Sequence, residues 1–336
     1  MEKIRWGLLS TARINNQLIP AIRSSARGEL AAVASRRRMK AKRYAREKQI
    51  PLAFGSYEEM LASPEVDAVY VSLPNHLHAE WTIRALRAGK HVLCEKPLAL
   101  SVEEVDAILS ASKETGKHAM EALMYRHHPQ SLLIEKWIED GRIGALQSIR
   151  GVFNFVLDHP GDYRYEPNMG GGAIWDIGIY PLSYAQWLMK EPAQRVFGTQ
   201  RTGKTGVDMV FQGEMMFSGD RFAQISCSFQ SPTHTSVEIM GSKGRILLTR
   251  PFVNIGQGEK IQLFDEYGVM SEYESTEADL YRYEVENLHG AILDGATTRV
   301  SLQDSRNHIH TIRSLLKSAK DNCVVVLEES GSIDAQ

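Results

Sequence analysis

Asp176 and Tyr180 stand four residues apart in "GGGAIWDIGIY", directly after the run Gly170 to Gly172. On a helix that spacing puts both side chains on one face. The glycines let the chain turn sharply just before it. A carboxylate beside a phenol suits proton transfer at a reacting oxygen. Tyrosine is a poor base at its ordinary pKa of about 10, because only ~0.1% is phenolate at pH 7. A neighbouring ammonium at ~4 Å, with an effective dielectric near 20, offers about 4 kcal/mol. That covers a downward shift of two to three units at about 1.4 kcal/mol each, before the lysine's own desolvation. The pair therefore calls for a nearby ammonium, and a proton moved at an oxygen can accompany a hydride at the neighbouring carbon only if the chain also holds a hydride carrier.

The start of the chain offers a place for such a carrier. "WGLLSTARIN" runs from a short apolar strand pattern into a helical one, which is where a dinucleotide-binding chain puts its glycine fingerprint. The three glycine positions read Ser10, Ala12 and Asn15. Ser10, Thr11, Ala12, Arg13 and Ile14 would form the loop and aim a helix N-terminus at a phosphate. By itself the stretch fits either a phosphate cradle or an ordinary strand-to-helix turn. The end of the second strand tips the balance. An NAD site has a carboxylate there for the ribose hydroxyls. Here the residues are Ser35 and Arg36, followed by Arg37, Arg38 and Lys40. Guanidinium and ammonium groups suit a 2′-phosphate, so NADP is the expected dinucleotide, with NAD possible.

These residues need a scaffold, and the pattern supplies one. Short apolar runs such as "DAVYVSLP" and "HVLCEKP" alternate with amphipathic stretches through the first third of the chain. Ser101 with Glu104 makes a capping box. This alternation predicts an α/β fold whose N-terminal part is a doubly wound parallel sheet, the Rossmann arrangement. After about residue 145, strand-like runs follow one another without helices between them. They predict a C-terminal α+β domain with a large, mostly antiparallel sheet. We place the dinucleotide-binding domain at 1–122 and the substrate-binding and oligomerisation domain at 123–336. The spacing predicts one helix over 173–189, carrying Asp176 and Tyr180.

Composition bounds the function. The chain has 336 residues with 43% hydrophobic content, enough for two domains with sizeable cores. A net charge of -2 argues against nucleic acid or an anionic membrane as the main partner. Cys94, Cys227 and Cys323 are scattered and odd in number, which suits a reducing compartment and not a disulfide framework. No apolar run reaches membrane-spanning length, and a cytoplasmic location is expected. His76 with His78, His127 with His128, and His308 with His310 lack a third ligand at recognisable spacing, so no metal is expected.

Three separated motifs carry a family resemblance. "CEKPLA" at 94–99, preceded by "PNHLHAEWTIRALRAGKHVL", resembles the glucose–fructose oxidoreductase/inositol dehydrogenase (Gfo/Idh/MocA) family. "GGGAIWDIGIYPL" at 170–182 is similar to a second signature of that family, and "VEIMGSKGRI" at 237–246 to a third. The resemblance implies that Lys96 lies beside nicotinamide and substrate, which makes it the lysine that Tyr180 requires. It also implies cofactor contacts from Leu73, Pro74, Asn75, His78, Glu95, the pair Tyr163 and Arg164, and Tyr281. Arg126 follows a strand end and is a further cofactor candidate. Asp176 and Tyr180 would face the substrate, with Trp175 lining the pocket. Where the family usually has histidine this chain has Tyr180. With "WGLLSTARI", that tyrosine resembles the NADP-dependent aldose (xylose) dehydrogenase and dihydrodiol dehydrogenase branch. Either Tyr180 or Lys96 is then the acid/base.

The implied activity is hydride transfer between nicotinamide and a sugar or sugar-like polyol, catalysed by Lys96, Asp176 and Tyr180. A homodimer or dimer of dimers is implied too. Two other readings share the fold: a non-catalytic, dinucleotide-dependent sugar regulator, and an NAD-dependent glycosidase. A regulator needs no Lys96, Asp176 and Tyr180. A glycosidase that recycles its cofactor would hold NAD, and Ser35 with Arg36 favours NADP.

Overall fold

The computed structural model describes residues 3–253, 260–274 and 279–327. Packing divides the chain into two compact units, one from residues 1–132, 168–170 and 277–306, the other from 133–167, 171–276 and 307–336.

The first unit holds six strands: β1 (Ile4–Leu9), β2 (Gly28–Ala34), β3 (Leu52–Phe54), β4 (Ala68–Val71), β5 (His91–Glu95) and β6 (Ala119–Ala122). They pair in the order β3-β2-β1-β4-β5-β6, every pair parallel. Helices α1 (Asn15–Ser24), α2 (Arg38–Lys48), α3 (Tyr57–Leu61), α4 (His78–Arg87) and α5 (Val102–Thr115) connect them. All four residues of β4 are buried, as expected of a strand covered on both faces. The capping box forms: Glu104 N–H donates to Ser101 Oγ at 3.2 Å, and Ser101 N–H to Glu104 Oε2 at 3.2 Å. The strand order reverses between β1 and β4, and ligands of such sheets bind beyond the carboxyl ends of the strands at that point.

In the second unit lies a sheet of β7 (Leu146–Asn154), β8 (Arg195–Thr202), β9 (Asp208–Met216), β10 (Phe222–Ser228), β11 (His234–Gly241), β12 (Gly244–Leu248), β13 (Lys260–Asp265), β14 (Met270–Glu274) and β15 (Val325–Val326). Among the described residues its order is β14-β13-β12-β11-β7-β10-β9-β8-β15. Among the described residues only the β7–β10 pair is parallel. Burial alternates along the strands: Ile149, Phe211, Ile225 and Val237 are buried, while Arg150, Gln212 and Glu214 are exposed. After helix α6 (Pro129–Glu139), helix α7 (Ile179–Met189) packs on the buried face. Gly151 of β7 permits the approach, because a Cβ there would stand 2.5 Å from Pro181 Cβ.

Helix α8 (Leu280–Asp294) returns to the first unit. There His289 Nε2 accepts a 2.9 Å hydrogen bond from Trp6 Nε1–H, and Arg27 pairs with Asp294 at 2.5 Å. A division after residue 122 takes no account of this return. Helix α9 (Leu302–Asp321) follows. Among the described residues no helix is long and apolar enough to cross a membrane.

Candidate active site

The dinucleotide end of the first unit is built from the turns after β1, β2, β4 and β5. Ser10 has φ 129°, a left-handed conformation that favours glycine. Its side chain compensates for the missing glycine. Ser10 Oγ donates to Ser72 O at 2.8 Å and accepts from Ala12 N–H at 3.1 Å. Asn15 sits at the third glycine position and is fully buried. Its amide donates to Ser10 O at 3.0 Å, and its Oδ1 accepts from Ser72 Oγ at 2.8 Å. The turns after β1 and β4 are thus tied together at the switch point. Thr11, Ala12 and Ile14 are half-buried, Arg13 is exposed, and the first turn of α1 carries no acidic side chain.

After β2, Ser35 is buried and its Oγ accepts from Arg37 N–H at 3.4 Å. Arg38 is held by Glu59 at 2.9 Å, whereas Arg36, Arg37 and Lys40 are exposed. Arg37 and Lys40 line an open cavity of about 670 Å³ with Met39, Lys42, Arg43 and Arg46. These residues fit a dinucleotide carrying an extra phosphate: a tight left-handed turn, a helix N-terminus free of acid, and exposed cations where a ribose-binding carboxylate would stand.

The turns after β4 and β5 are clamped by His78, which is 1% exposed. Its Nε2 lies 2.7 Å from Leu73 O and its Nδ1 2.7 Å from Pro97 O. A neutral imidazole donates to only one of these carbonyls. Burial, with help from the Lys96 charge, holds the ring's pKa below its ordinary value although both carbonyls favour the imidazolium. His78 therefore supports the walls Leu73, Pro74 and Pro97. Asn75 is buried and donates to Gly170 O at 2.9 Å.

Lys96 is half-buried at the end of β5, before a cis peptide bond to Pro97. Glu95 accepts a hydrogen bond from Tyr70 Oη. Burial, then the Glu95 charge, push the pKa of Tyr70 and Tyr281 up. The same two causes hold Glu284 well above the usual carboxylate range, which favours its protonated form. Neither carboxyl oxygen of Glu284 is hydrogen-bonded within the described residues. Arg126 is buried and donates to Arg299 O at 3.0 Å.

In the second unit, Asp176 is 4% exposed and accepts from Arg164 Nε–H at 2.7 Å. Arg164 also pairs with Asp162 at 3.2 Å and lies 4.8 Å from the Tyr163 ring centroid. Burial alone would lower the Arg164 pKa, but the Asp176 charge overrides it and raises the value. Trp175 and Tyr180 are buried, each 6% exposed. Tyr180 packs on Phe153 and Phe252, with centroids 5.3 and 5.7 Å away. Instead of one helix over 173–189, a π-helical turn (Ile174–Gly178) precedes α7. Such turns are rare and recur at functional sites. Asp208 holds the start of this turn, accepting from Ile174 N–H at 2.8 Å. Sequence reasoning missed Asp208, Ser72 and Glu284. The signal for Asp208 was an acid between Val207 and Met209, at the head of an apolar strand.

Comparison with known proteins covers both units. The family profile described as "Oxidoreductase family, NAD-binding Rossmann fold" matches residues 4–123, and the "GFO/IDH/MocA C-terminal domain" matches residues 132–247. A D-xylose 1-dehydrogenase (NADP(+)) of Haloferax volcanii is 36% identical over 330 residues, covering 96% of this chain and 99% of that one. A trans-1,2-dihydrobenzene-1,2-diol dehydrogenase of Danio rerio is 30% identical over 329 residues, 95% of each chain. A 3-ketoreductase from Actinomadura kijaniata, solved in complex with NADP and TDP-benzene, superposes with a TM-score of 0.87 at 29% identity, covering 94% and 98% of the two chains.

Proposed function

The chain belongs to the GFO/IDH/MocA oxidoreductase family, and from that premise we propose how it works. The protein is an oxidoreductase of sugar-like alcohols that uses a nicotinamide dinucleotide. We infer that NADP is preferred over NAD. The observation that carries this preference is the exposed set Arg36, Arg37 and Lys40 after β2, beside the left-handed turn at Ser10. Bound, the dinucleotide supplies or accepts the hydride.

The chain's own residues do the rest. Ser10 through Ile14 would hold the pyrophosphate with backbone N–H groups and the α1 N-terminus. Leu73, Pro74 and Asn75 wall the crevice, while Tyr163, Arg126 and Tyr281 complete the cofactor contacts. Lys96 stabilises charge on the substrate oxygen as it develops. We propose Tyr180 as the proton carrier that Lys96 tunes, with Lys96 itself the alternative acid/base. Arg164 holds the buried Asp176 carboxylate in place, and we propose that this aims it at a substrate hydroxyl. The buried free cysteines Cys94 and Cys227 fit a cytoplasmic protein.

The test is a screen of aldoses, polyols and diols with NADP and NAD, followed at 340 nm. Turnover with NADP is expected. Arg36→Asp should lower the NADP-to-NAD ratio of kcat/KM by roughly 10- to 100-fold, the equivalent of one charge-assisted hydrogen bond of about 1.5–3 kcal/mol. An unchanged ratio would remove the assignment of the 2′-phosphate site.

We also place a homodimer contact on the exposed face of the large sheet, where Arg150, Gln212, Glu214 and Gln224 line an open cavity of about 430 Å³. Light scattering should give twice the chain mass or a multiple of it; a monomer at all concentrations would overturn the contact.

A further inference from the structure

We propose that Asp208 is a positioning residue: its carboxylate fixes the π-helical turn that carries Asp176 and, through it, the start of α7 with Tyr180. This deepens the proposed function and rests on its assignment of Asp176 and Tyr180.

The turn begins after a glycine run, and Ala173 at its start provides no side-chain cap. Its first N–H groups have no partner inside the turn. Asp208, 4% exposed at the head of β9, supplies the acceptor from another element. One oxygen takes Ile174 N–H at 2.8 Å, and Ala173 N–H also bonds the carboxylate. The other oxygen lies against Gly172, where a Cβ would come within 2.1 Å of it. Gly172 has φ 117°, so both its conformation and its neighbour exclude a side chain. Gly172 N–H donates to Arg164 O at 3.0 Å, and Gly172 O accepts from Asp176 N–H at 3.2 Å. One carboxylate thus pins the residue that links Arg164 to Asp176. Below the end of the turn, Cys227 Sγ of β10 would lie 3.0 Å from a Cβ at Gly178, so the turn is braced at both ends.

The test compares Asp208→Ala and Asp208→Asn with the whole protein, reading three quantities. Asp208→Ala should lower kcat about 10- to 100-fold while the NADP Kd stays within about threefold. Amide exchange of the peptide spanning 171–180 should speed up by a similar factor, with the first unit unaffected. Asp208→Asn keeps one acceptor oxygen and should recover only part of both losses. A merely structural role would lower the folded fraction and leave kcat per folded molecule, and the rescue, unmoved. Wild-type exchange in the 171–180 peptide of Asp208→Ala would overturn the inference. If Asp208→Ala does not fold, Asp208→Asn decides. Its oxygen cannot accept all the bonds of a carboxylate, so a wild-type kcat together with wild-type exchange would also overturn it. The two readings fail separately. Full turnover in Asp176→Ala and Tyr180→Phe would refute their catalytic roles, yet accelerated exchange in Asp208→Ala would still establish the clamp.

Discussion

The dinucleotide end of the first unit is stitched by neutral hydrogen bonds, Ser10 to Ser72 to Asn15. In the second unit the acid–tyrosine segment is held by two acidic side chains, Asp176 in an ion pair with Arg164 and Asp208 hydrogen-bonded to the amides of the π turn. The contrast extends to buried titratable groups. The first unit buries His91, His127, His128 and His289. Burial, helped by nearby cations at His91 and His127, pushes His91, His128 and His289 down to about 4 and His127 to about 3. For His289 the hydrogen bonds give the reason in detail. Nε2 accepts from Trp6, so protonation there would break that bond. In the second unit, burial instead pushes Asp208 up to about 7. The turns after β1 and β4 are fixed by neutral groups, whereas a segment that orients a carboxylate needs countercharge and a fixed backbone.

Acid should act with opposite sign on the buried histidines of the first unit and on Asp208 of the second, and this is the largest effect expected. A histidine with a folded pKa near 4 and an unfolded value near 6.5 takes its proton first in the unfolded chain. Its contribution is full above about 6.5 and is lost as pH falls toward 4. The upper bound is about 3 kcal/mol per group. Glu284 opposes this trend within the same unit, because its raised pKa favours the folded state on acidification. Asp208 follows the same rule as Glu284. Its folded pKa of about 7 lies above the ordinary 3.8, so its contribution is full below 3.8 and lost as pH rises to 7. Amide exchange between pH 7 and 4.5, corrected for intrinsic rates, should show peptides of 1–132 losing protection before those of 171–253. The reverse order would break the contrast.

The next effect concerns the proposed catalytic residues Lys96 and Tyr180. Lys96→Met and Tyr180→Phe should each lower turnover by roughly 10²–10⁴-fold, the range for a lost acid/base. The double variant should be little worse than the poorer single, because residues acting as a unit are not additive. NADP affinity should stay nearly unchanged in both. If the enzyme oxidises its substrate, the wild-type rate should rise with pH through one ionisation that Tyr180→Phe abolishes. Losses that multiply would mean the two residues act independently. A near-normal Tyr180→Phe would assign the proton to Lys96 or water.

Much of the first unit was legible because its signals are local. Alternating apolar runs and helices gave the parallel sheet, and Ser101 with Glu104 gave a capping box that forms. The run from Ser35 to Lys40 announced an exposed cationic patch. The second unit was legible as a sheet, through the alternation along β7, β9 and β10. Its acid–tyrosine segment was not. A π turn adds a residue to one helical turn, so the apolar period around Asp176 still reads as ordinary helix. Asp208 acts on a backbone more than thirty residues earlier in the chain, and a lone acid in a strand carries no partner's address. The pairing of Arg164 with Asp176 depends likewise on a tertiary approach. Helix α8 hid its destination for the same reason: its periodicity reports a buried face but not which unit covers it.

The smallest effect concerns Ser10, where strain and hydrogen bonding oppose each other. Its φ of 129° lies where a side chain is disfavoured, at a cost of order 1–3 kcal/mol. Its hydroxyl bonds Ser72 O and Ala12 N–H at 2.8 and 3.1 Å, each bond worth about 0.5–1.5 kcal/mol net. Ser10→Gly removes both at once, so stability should change by no more than about 1 kcal/mol by chemical denaturation. Ser10→Ala keeps the strain and loses the bonds, and should be the more destabilised of the two by about 1–3 kcal/mol. NADP affinity should follow the same order, because the hydroxyl ties the turn after β1 to the turn after β4. If Ser10→Gly proves as damaging as Ser10→Ala, the hydroxyl outweighs the backbone strain, and the serine is required by the network at the switch point. If Ser10→Gly gains stability and NADP affinity together, the loop is held by its backbone alone, and the neutral network that sets the first unit apart from the second has little energetic weight.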